Sequence, residues 1–361
     1  MINETTYSII TATGSHIPSR KIPNDYFLHH EFFDSDGGKF DKSNEEIIGK
    51  LEEITGIVER RYISDDQVVS DIAFLAAQDA LKSSGADKES LDYIIVAHNF
   101  GDVRADNRRS DIVPTVASRV KHRLRIANPG TVAYDITFGC PGWLQAVIQA
   151  NYFLKSGDAR KALIIGAETL SRVSDPHDRD SMIYADGAGA VILEAKSSGQ
   201  PIGILSHAVR SDTLEHAFML KMDKTYNHKC KNSELYLKMD GHRLYQYAIS
   251  TVPSVVKESL DKAGITLDQV NKVLIHQANA KMDEAILKRI YSKYGAGSAP
   301  MHIMPMIISR LGNSSVATLP TLLDMMAKGK LKDHELRSGE TIIMASVGAG
   351  MNINSVVYRV P

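Results

Sequence analysis

Two stretches decide how this chain is read: Ala80-Leu-Lys-Ser-Ser-Gly-Ala-Asp-Lys-Glu-Ser-Leu-Asp-Tyr-Ile-Ile-Val-Ala-His98 and Ser259-Leu-Asp-Lys-Ala-Gly-Ile-Thr-Leu-Asp-Gln-Val-Asn-Lys-Val-Leu-Ile-His-Gln277. Each reads as a helix end, a glycine stop, a short polar turn and an apolar strand. Gly264 follows Gly85 by 179 residues, as Ile275 follows Val96. The run Ala162-Leu-Ile-Ile-Gly-Ala167 meets Thr341-Ile-Ile-Met-Ala-Ser346 at the same spacing of 179. Between them Phe138-Gly-Cys140 faces Leu311-Gly-Asn313, offset 173, and one gap of six absorbs the difference. Three matches in one order point to a duplicated α/β unit. The halves divide at 1–199 and 200–361, and with no low-complexity linker between them they are expected to share one core.

Outward from the repeat, the pattern predicts a strand from Tyr7 and a helix from Ser70 to Ser84, with Ser70 as its cap. Residues 99–111 read as an exposed excursion, and 114–124 as a helix. Residues 211–234 read as irregular. Residues 241–263 form a long helix with a possible kink at Pro253, and 316–329 another helix. Asp186-Gly-Ala-Gly-Ala190 reads as a tight turn feeding a buried strand.

Composition narrows the class. Of 361 residues, 43% are hydrophobic and 24% charged, the balance of a globular chain with a sizeable core. A formal charge of −1 supplies no field that recruits nucleic acid or a membrane. Two cysteines fit a reducing, cytoplasmic setting better than a disulfide framework. No signal peptide, membrane span or metal-ligand spacing is visible, so no membrane insertion and no metal are expected.

The chemistry begins at Ala133-Tyr-Asp-Ile-Thr-Phe-Gly-Cys140-Pro-Gly-Trp-Leu-Gln-Ala-Val-Ile-Gln-Ala-Asn-Tyr-Phe-Leu154. A strand-like run stops at Phe-Gly and a helical pattern starts at once. Pro141 suits a first helical position. Cys140 is therefore placed at a helix N-terminus, where unpaired N–H groups lower a thiol's pKa and favour thioester chemistry. A buried, inert cysteine is the alternative. His276 follows an apolar strand directly. Asn313 precedes a helical run, as a cap, a site residue or both. Ligands of α/β sheets gather at the carboxyl ends of strands, and Cys140, His276 and Asn313 all lie in such loops. Gly348, Ala349 and Gly350 form a turn after a strand, where backbone N–H groups can serve an oxyanion.

Together these pieces resemble the thiolase superfamily, and within it the β-ketoacyl-acyl-carrier-protein synthase III family, as a divergent branch. The motifs are Thr55-Gly-Ile-Val-Glu-Arg-Arg61, the Cys140 elbow, Tyr184-Ala-Asp-Gly-Ala-Gly-Ala190, Met239-Asp-Gly-His-Arg-Leu-Tyr245, Ile275-His-Gln-Ala-Asn279 and Gly312-Asn-Ser-Ser315. The resemblance implies a duplicated five-layer αβαβα sandwich, a homodimer and a Cys140-His276-Asn313 site. It implies an acyltransferase without a permanently bound cofactor. Cys140 takes an acyl group from acyl-CoA, and the acyl-enzyme condenses with malonyl-carrier protein as it loses CO2. Backbone N–H groups at Cys140 and Ala349 then serve the oxyanion.

The chain departs from the family in places. Typical members carry a Trp and an Arg just ahead of the Thr-Gly-Ile motif to grip the CoA nucleotide. Here Ile54 precedes Thr55, and the only Trp is Trp143. Val113 stands where some members place an aromatic residue, reaching from the partner, that limits the acyl chain. With Trp143 it is expected to shape the acyl pocket. Lys281 follows the His276 motif where the family has a basic docking residue. With Arg243 and Lys257 it is expected to meet an acidic acyl-carrier protein. The same site in a specialised pathway, of dialkylresorcinol or pigment type, is an alternative. So is an inactive partner subunit that only binds a carrier protein.

Overall fold

The computed structural model describes residues 4–361. Runs without polar residues become strands buried on both faces. The first sheet is built from β1 (Thr5–His16), β2 (Tyr93–Ala97), β3 (Val132–Ile136), β4 (Lys161–Thr169) and β5 (Asp186–Ser198), in the order β1-β5-β4-β2-β3. The second is built from β6 (Gly203–Ser211), β7 (Val270–Ile275), β8 (Thr341–Gly348) and β9 (Asn352–Arg359), in the order β6-β9-β8-β7. Strand senses match as well as order. β1 and β4 run antiparallel to β5, and β2 runs parallel to β4. β6 and β8 likewise run antiparallel to β9, and β7 runs parallel to β8. β3 has no counterpart among the strands of the second sheet.

Helices separate and cover the sheets. We label α1 (Asn44–Thr55), α2 (Val69–Ser84), α3 (Val116–Arg123), α4 (Gly142–Ser156), α5 (Gly241–Ala263), α6 (Ala280–Lys293) and α7 (Thr318–Ala327). α4 and α7 lie between the sheets. Leu144, Val147, Leu322 and Leu323 share one core with Ile95 and Ile164 of the first sheet and Leu274 and Ile342 of the second. α2 and α3 cover the outer face of the first sheet through Ile72, Ala76 and Val120. α5 and α6 cover the second through Val252, Val256 and Ile286. These are the five layers, helix on sheet on helix on sheet on helix.

The sandwich brings its parts close at Gly166. A Cβ there would stand 2.3 Å from the carbonyl oxygen of Val316, so only glycine lets the chain leading into α7 lie on β4. That contact seats the segment carrying Asn313 against the first half.

Several local expectations change. α2 starts at Val69, and Ser70 is not its cap. The Ser70 amide and hydroxyl instead donate to Asp102, both at 2.7 Å. The excursion is partly a hairpin, Asp102–Arg104 with Asn107–Asp111, pinned by Arg119 to Asp102 and Asp111. Asp186 to Ala190 lies inside β5 rather than in a turn. Asp186 accepts from the amides of Ile63 and Ser171, and burial pushes its carboxyl up to about 6. α5 runs through Pro253 without a break.

Candidate active site

β3 ends at Ile136 and Gly139 takes φ +65°, turning the chain into α4. Pro141 is the N-cap, one position ahead of the first helical residue, so Cys140 stands immediately before the helix. The thiol is neighboured from the second half. A Cβ on Gly139 would stand 2.7 Å from both the N and the O of Ala349. The turn after β8 is thus pressed against the elbow, with Gly348 against Cys140 and Ala349 against Gly139.

The expected fall in thiol pKa is reversed. Cys140 is partly exposed as a residue, yet burial pushes its thiol up to about 11. A hydrogen bond from Ser315 and the backbone pull the other way, and the nearby Glu168 carboxylate pushes further up. A helix terminus contributes a fraction of a full charge. Neither neighbour named here is a cation that would add to it.

His276 follows β7, its amide donating to the Ala345 carbonyl of β8 at 2.9 Å. It is 2% exposed. Burial lowers the imidazole to about 4, and Nδ1 has no hydrogen-bond partner. The neutral ring is the working form at neutral pH. Gln277 beside it is fully buried. It accepts from the amides of Ile307 and Ile308 and donates to the Pro305 carbonyl, which holds the segment leading to Asn313. At the repeat spacing Gln277 is the counterpart of His98. His98 is also structural: Gly101 donates to its Nδ1, and its Nε2–H meets Asp135 at 2.9 Å.

Asn313 pairs with the first half through its backbone, donating to Ile183 and accepting from Ala185. Its Oδ1 accepts from the Ser315 amide at 2.8 Å, so it closes a local turn and does not cap α7. Ser315 Oγ reaches Cys140 Sγ at 3.3 Å. Cys140 and the Asn313 segment therefore meet directly. His276 lies at the end of β7, next to the strand whose terminal turn touches Cys140. Sequence reasoning did not single out Ser315, Asn99 or Glu168. Asn99 Nδ2 bonds Ser315 Oγ at 3.3 Å and Glu168 Oε2 at 2.5 Å. Glu168 ends the apolar strand β4, and a carboxylate at a strand's carboxyl end was the available signal.

The other expected site residues are dispersed. Trp143 is 1% exposed in the shared core, its indole N–H unpartnered, so it packs beneath the elbow and not on an open wall. Val113, next to the hairpin, is 82% exposed. Lys281 pairs with Glu53 of α1. Arg243 lies at the start of α5, beside Asp240. Lys257 pairs with Asp261 and covers Tyr294 at the end of α6. At 1.5 Å per residue Lys257 stands about 21 Å along α5 from Arg243 and so shares no patch with it. Arg179 is exposed and lies over the Phe40 ring at 4.9 Å. Among the described residues no group of three or more His, Cys, Asp or Glu is placed to hold a metal, and no helix is long and apolar enough to cross a membrane.

The profile of 3-oxoacyl-[acyl-carrier-protein] synthase III matches residues 134–213, and its C-terminal companion matches residues 260–360, together half of the chain. The chain belongs to the 3-oxoacyl-acyl-carrier-protein synthase III family. The family is one of acyl-transferring condensing enzymes. Solved synthases III resemble the chain from end to end. That of Aquifex aeolicus VF5 is 29% identical, covers 98% of this chain and 99% of its own, and has a TM-score of 0.78. That of Thermus thermophilus is 28% identical, with 98% and 99% covered and a TM-score of 0.79. The priming β-ketosynthase of the R1128 polyketide pathway, 24% identical over 100% and 98%, shares the fold at a TM-score of 0.80.

Proposed function

We propose that this chain initiates acyl-chain synthesis. Cys140 attacks the thioester of an acyl-CoA, and its proton leaves with the sulfur of CoA. Malonyl-carrier protein then loses CO2, and the carbanion forms a bond to the acyl carbon as the C–S bond to Cys140 breaks. His276 and Asn313 serve the enolate oxygen, and the backbone N–H groups of Cys140 and Ala349 serve the tetrahedral oxyanion. Losing one such donor typically costs about 3–4 kcal/mol of barrier. The observation that carries this reading is the contact of the Gly348–Gly350 turn and Ser315 with Cys140 at a helix N-terminus.

CoA is proposed as substrate, with no resident cofactor. The Phe40–Arg179 pair offers a flat aromatic and guanidinium surface of the kind on which a purine stacks. Lys281 and Arg243 are proposed for carrier docking, and the position of Lys257 argues against its sharing that patch. A homodimer is supported by the open edge of β3 and by exposed Ile112, Val113 and Val132. Intact mass after incubation with acyl-CoA tests the reading. An acyl adduct absent from Cys140→Ala is expected, and no adduct with any starter overturns it. A panel of starters separates chain initiation from a specialised-pathway ketosynthase, since no condensation with short starters excludes the former.

A further inference from the structure

Behind Cys140 a chain of hydrogen bonds leads to a buried carboxyl group that the chemistry above does not use. Ser315 Oγ lies 3.3 Å from Cys140 Sγ and 3.3 Å from Asn99 Nδ2. The same Nδ2 lies 2.5 Å from Glu168 Oε2, which also accepts from the Asn99 backbone amide at 3.0 Å. An amide nitrogen has two hydrogens, and here one goes to the carboxylate and the other to the serine. The serine oxygen therefore accepts from Asn99, and its own hydrogen is left to point at sulfur. The direction of that hydroxyl is set from behind.

Two further observations place this arrangement in the site. Ser315 has φ +53°, a left-handed conformation that residues other than glycine adopt infrequently and that gathers at functional positions. The Asn313 side chain holds it there through the Ser315 amide. Glu168 is fully buried at the end of β4, and its Oε1 has no partner. A carboxyl group buried with an orphan oxygen is costly to a fold. Burial pushes the Glu168 carboxyl up to about 7, with the neighbouring His98 and the hydrogen bonds from Asn99 pulling the other way, and the carboxylate in turn raises the pKa of Cys140.

We propose that Ser315 is a further catalytic residue, donating its hydroxyl hydrogen to the sulfur of Cys140, and that Asn99 and Glu168 are its positioning residues. This rests on Cys140 being the nucleophile. In condensation the carbon–sulfur bond of the acyl-enzyme breaks and its electron pair returns to Sγ. The Ser315 hydroxyl meets the thiolate as it forms, and a proton from water then restores the thiol. The same bond favours the thiolate when Cys140 attacks the incoming thioester. Glu168 acts in two ways with opposite signs. Its grip on Asn99 aims the hydroxyl, and its negative charge opposes a second charge on sulfur.

The opposed signs make the test specific. The rate of Cys140 alkylation by iodoacetamide is followed against pH in the full chain, with Cys230→Ser removing the second thiol. Ser315→Ala is expected to move the profile about one pH unit to the alkaline side, a roughly tenfold loss of thiolate at a given pH. Glu168→Gln, which is isosteric, is expected to move it to the acid side. Profiles unchanged in both variants, or shifted in the same direction, overturn the proposal. Should Ser315→Ala fail to fold, Asn99→Ser reads the same alkaline shift by freeing the hydroxyl. Alkylation needs no acyl-CoA. A wild-type chain that accepts no acyl group therefore overturns the proposed function, and opposed shifts still establish the hydrogen bond to sulfur.

Discussion

A methyl group on Gly348 would stand 2.5 Å from the backbone nitrogen of Cys140 and 2.8 Å from its Cβ. The last strand pair of the second half thus ends in van der Waals contact with Cys140 of the first. The contact leaves room for backbone alone, so the N–H groups at this junction can face a reacting oxygen at close range.

Gly348→Ala is therefore expected to displace the elbow while leaving the rest of the sandwich folded. Displacement of a reacting group by about 1 Å costs on the order of 100-fold in rate. The rate of acyl-adduct formation, followed by intact mass, should fall by about that factor. The far-ultraviolet circular dichroism should match wild type.

His276→Ala should separate the two half-reactions. Its imidazole, lowered to about 4 by burial, is neutral throughout the physiological range and serves as a hydrogen-bonding group. Acylation of Cys140 should persist, and condensation should fall roughly 100- to 1000-fold. In wild type the condensation rate should show no imidazole titration between about pH 5.5 and 8. A titration near 6.5 in single-turnover condensation would contradict the burial argument.

The same residue predicts an acid-sensitive stability. Its folded pKa lies below the unfolded value of 6.5, so the unfolded chain binds the proton more readily. Stability is fully present above pH 6.5, declines as pH falls from 6.5 to 4, and loses roughly 3 kcal/mol over that window. Urea unfolding of His276→Gln should show a shallower decline than wild type between these pH values.

Lys238, a buried charge, carries a further expectation. Its ammonium meets Asp175 at 2.5 Å and Asp178 at 3.2 Å, all three side chains nearly inaccessible. Lys238→Met leaves two buried carboxylates without their cation. Breaking such a set from one side costs about 3–5 kcal/mol, which a shift in urea midpoint will measure.

Val113 tests the proposed dimer. It is exposed on its own protomer. If it caps a partner's pocket, Val113→Phe shortens the longest acyl-CoA accepted by several carbons without changing the rate for short starters. An unchanged chain-length profile, with the dimer intact by light scattering, removes Val113 from the pocket.

The duplicated register was legible because it needs only spacing. Gly85 and Gly264 end helices of equal standing, and the strands that follow take the same place in the two sheets. The positions of Cys140, His276 and Asn313 next to element ends were legible for a related reason, as those ends are written locally. Ser315 was quoted within a motif yet carried no visible role, because its partner sulfur is 175 residues away. Asn99 and Glu168 were hidden in the same way. The distance between Arg243 and Lys257 was hidden because helical rise along α5 separates residues that look equally basic in the sequence.

Local sequence, then, settled which segments become strands and helices and which residues stand at their ends, since hydrophobic period, glycine stops and proline starts act over a few residues. The packing of one sheet pair against the other decided what those ends meet and how they ionise. Burial and hydrogen-bond partners come from segments far apart along the chain. Cys140 stands at a helix start by its own neighbours, but its thiol is pushed up, and its sulfur is given a donor, only by residues of strand ends and turns that folding brings to it.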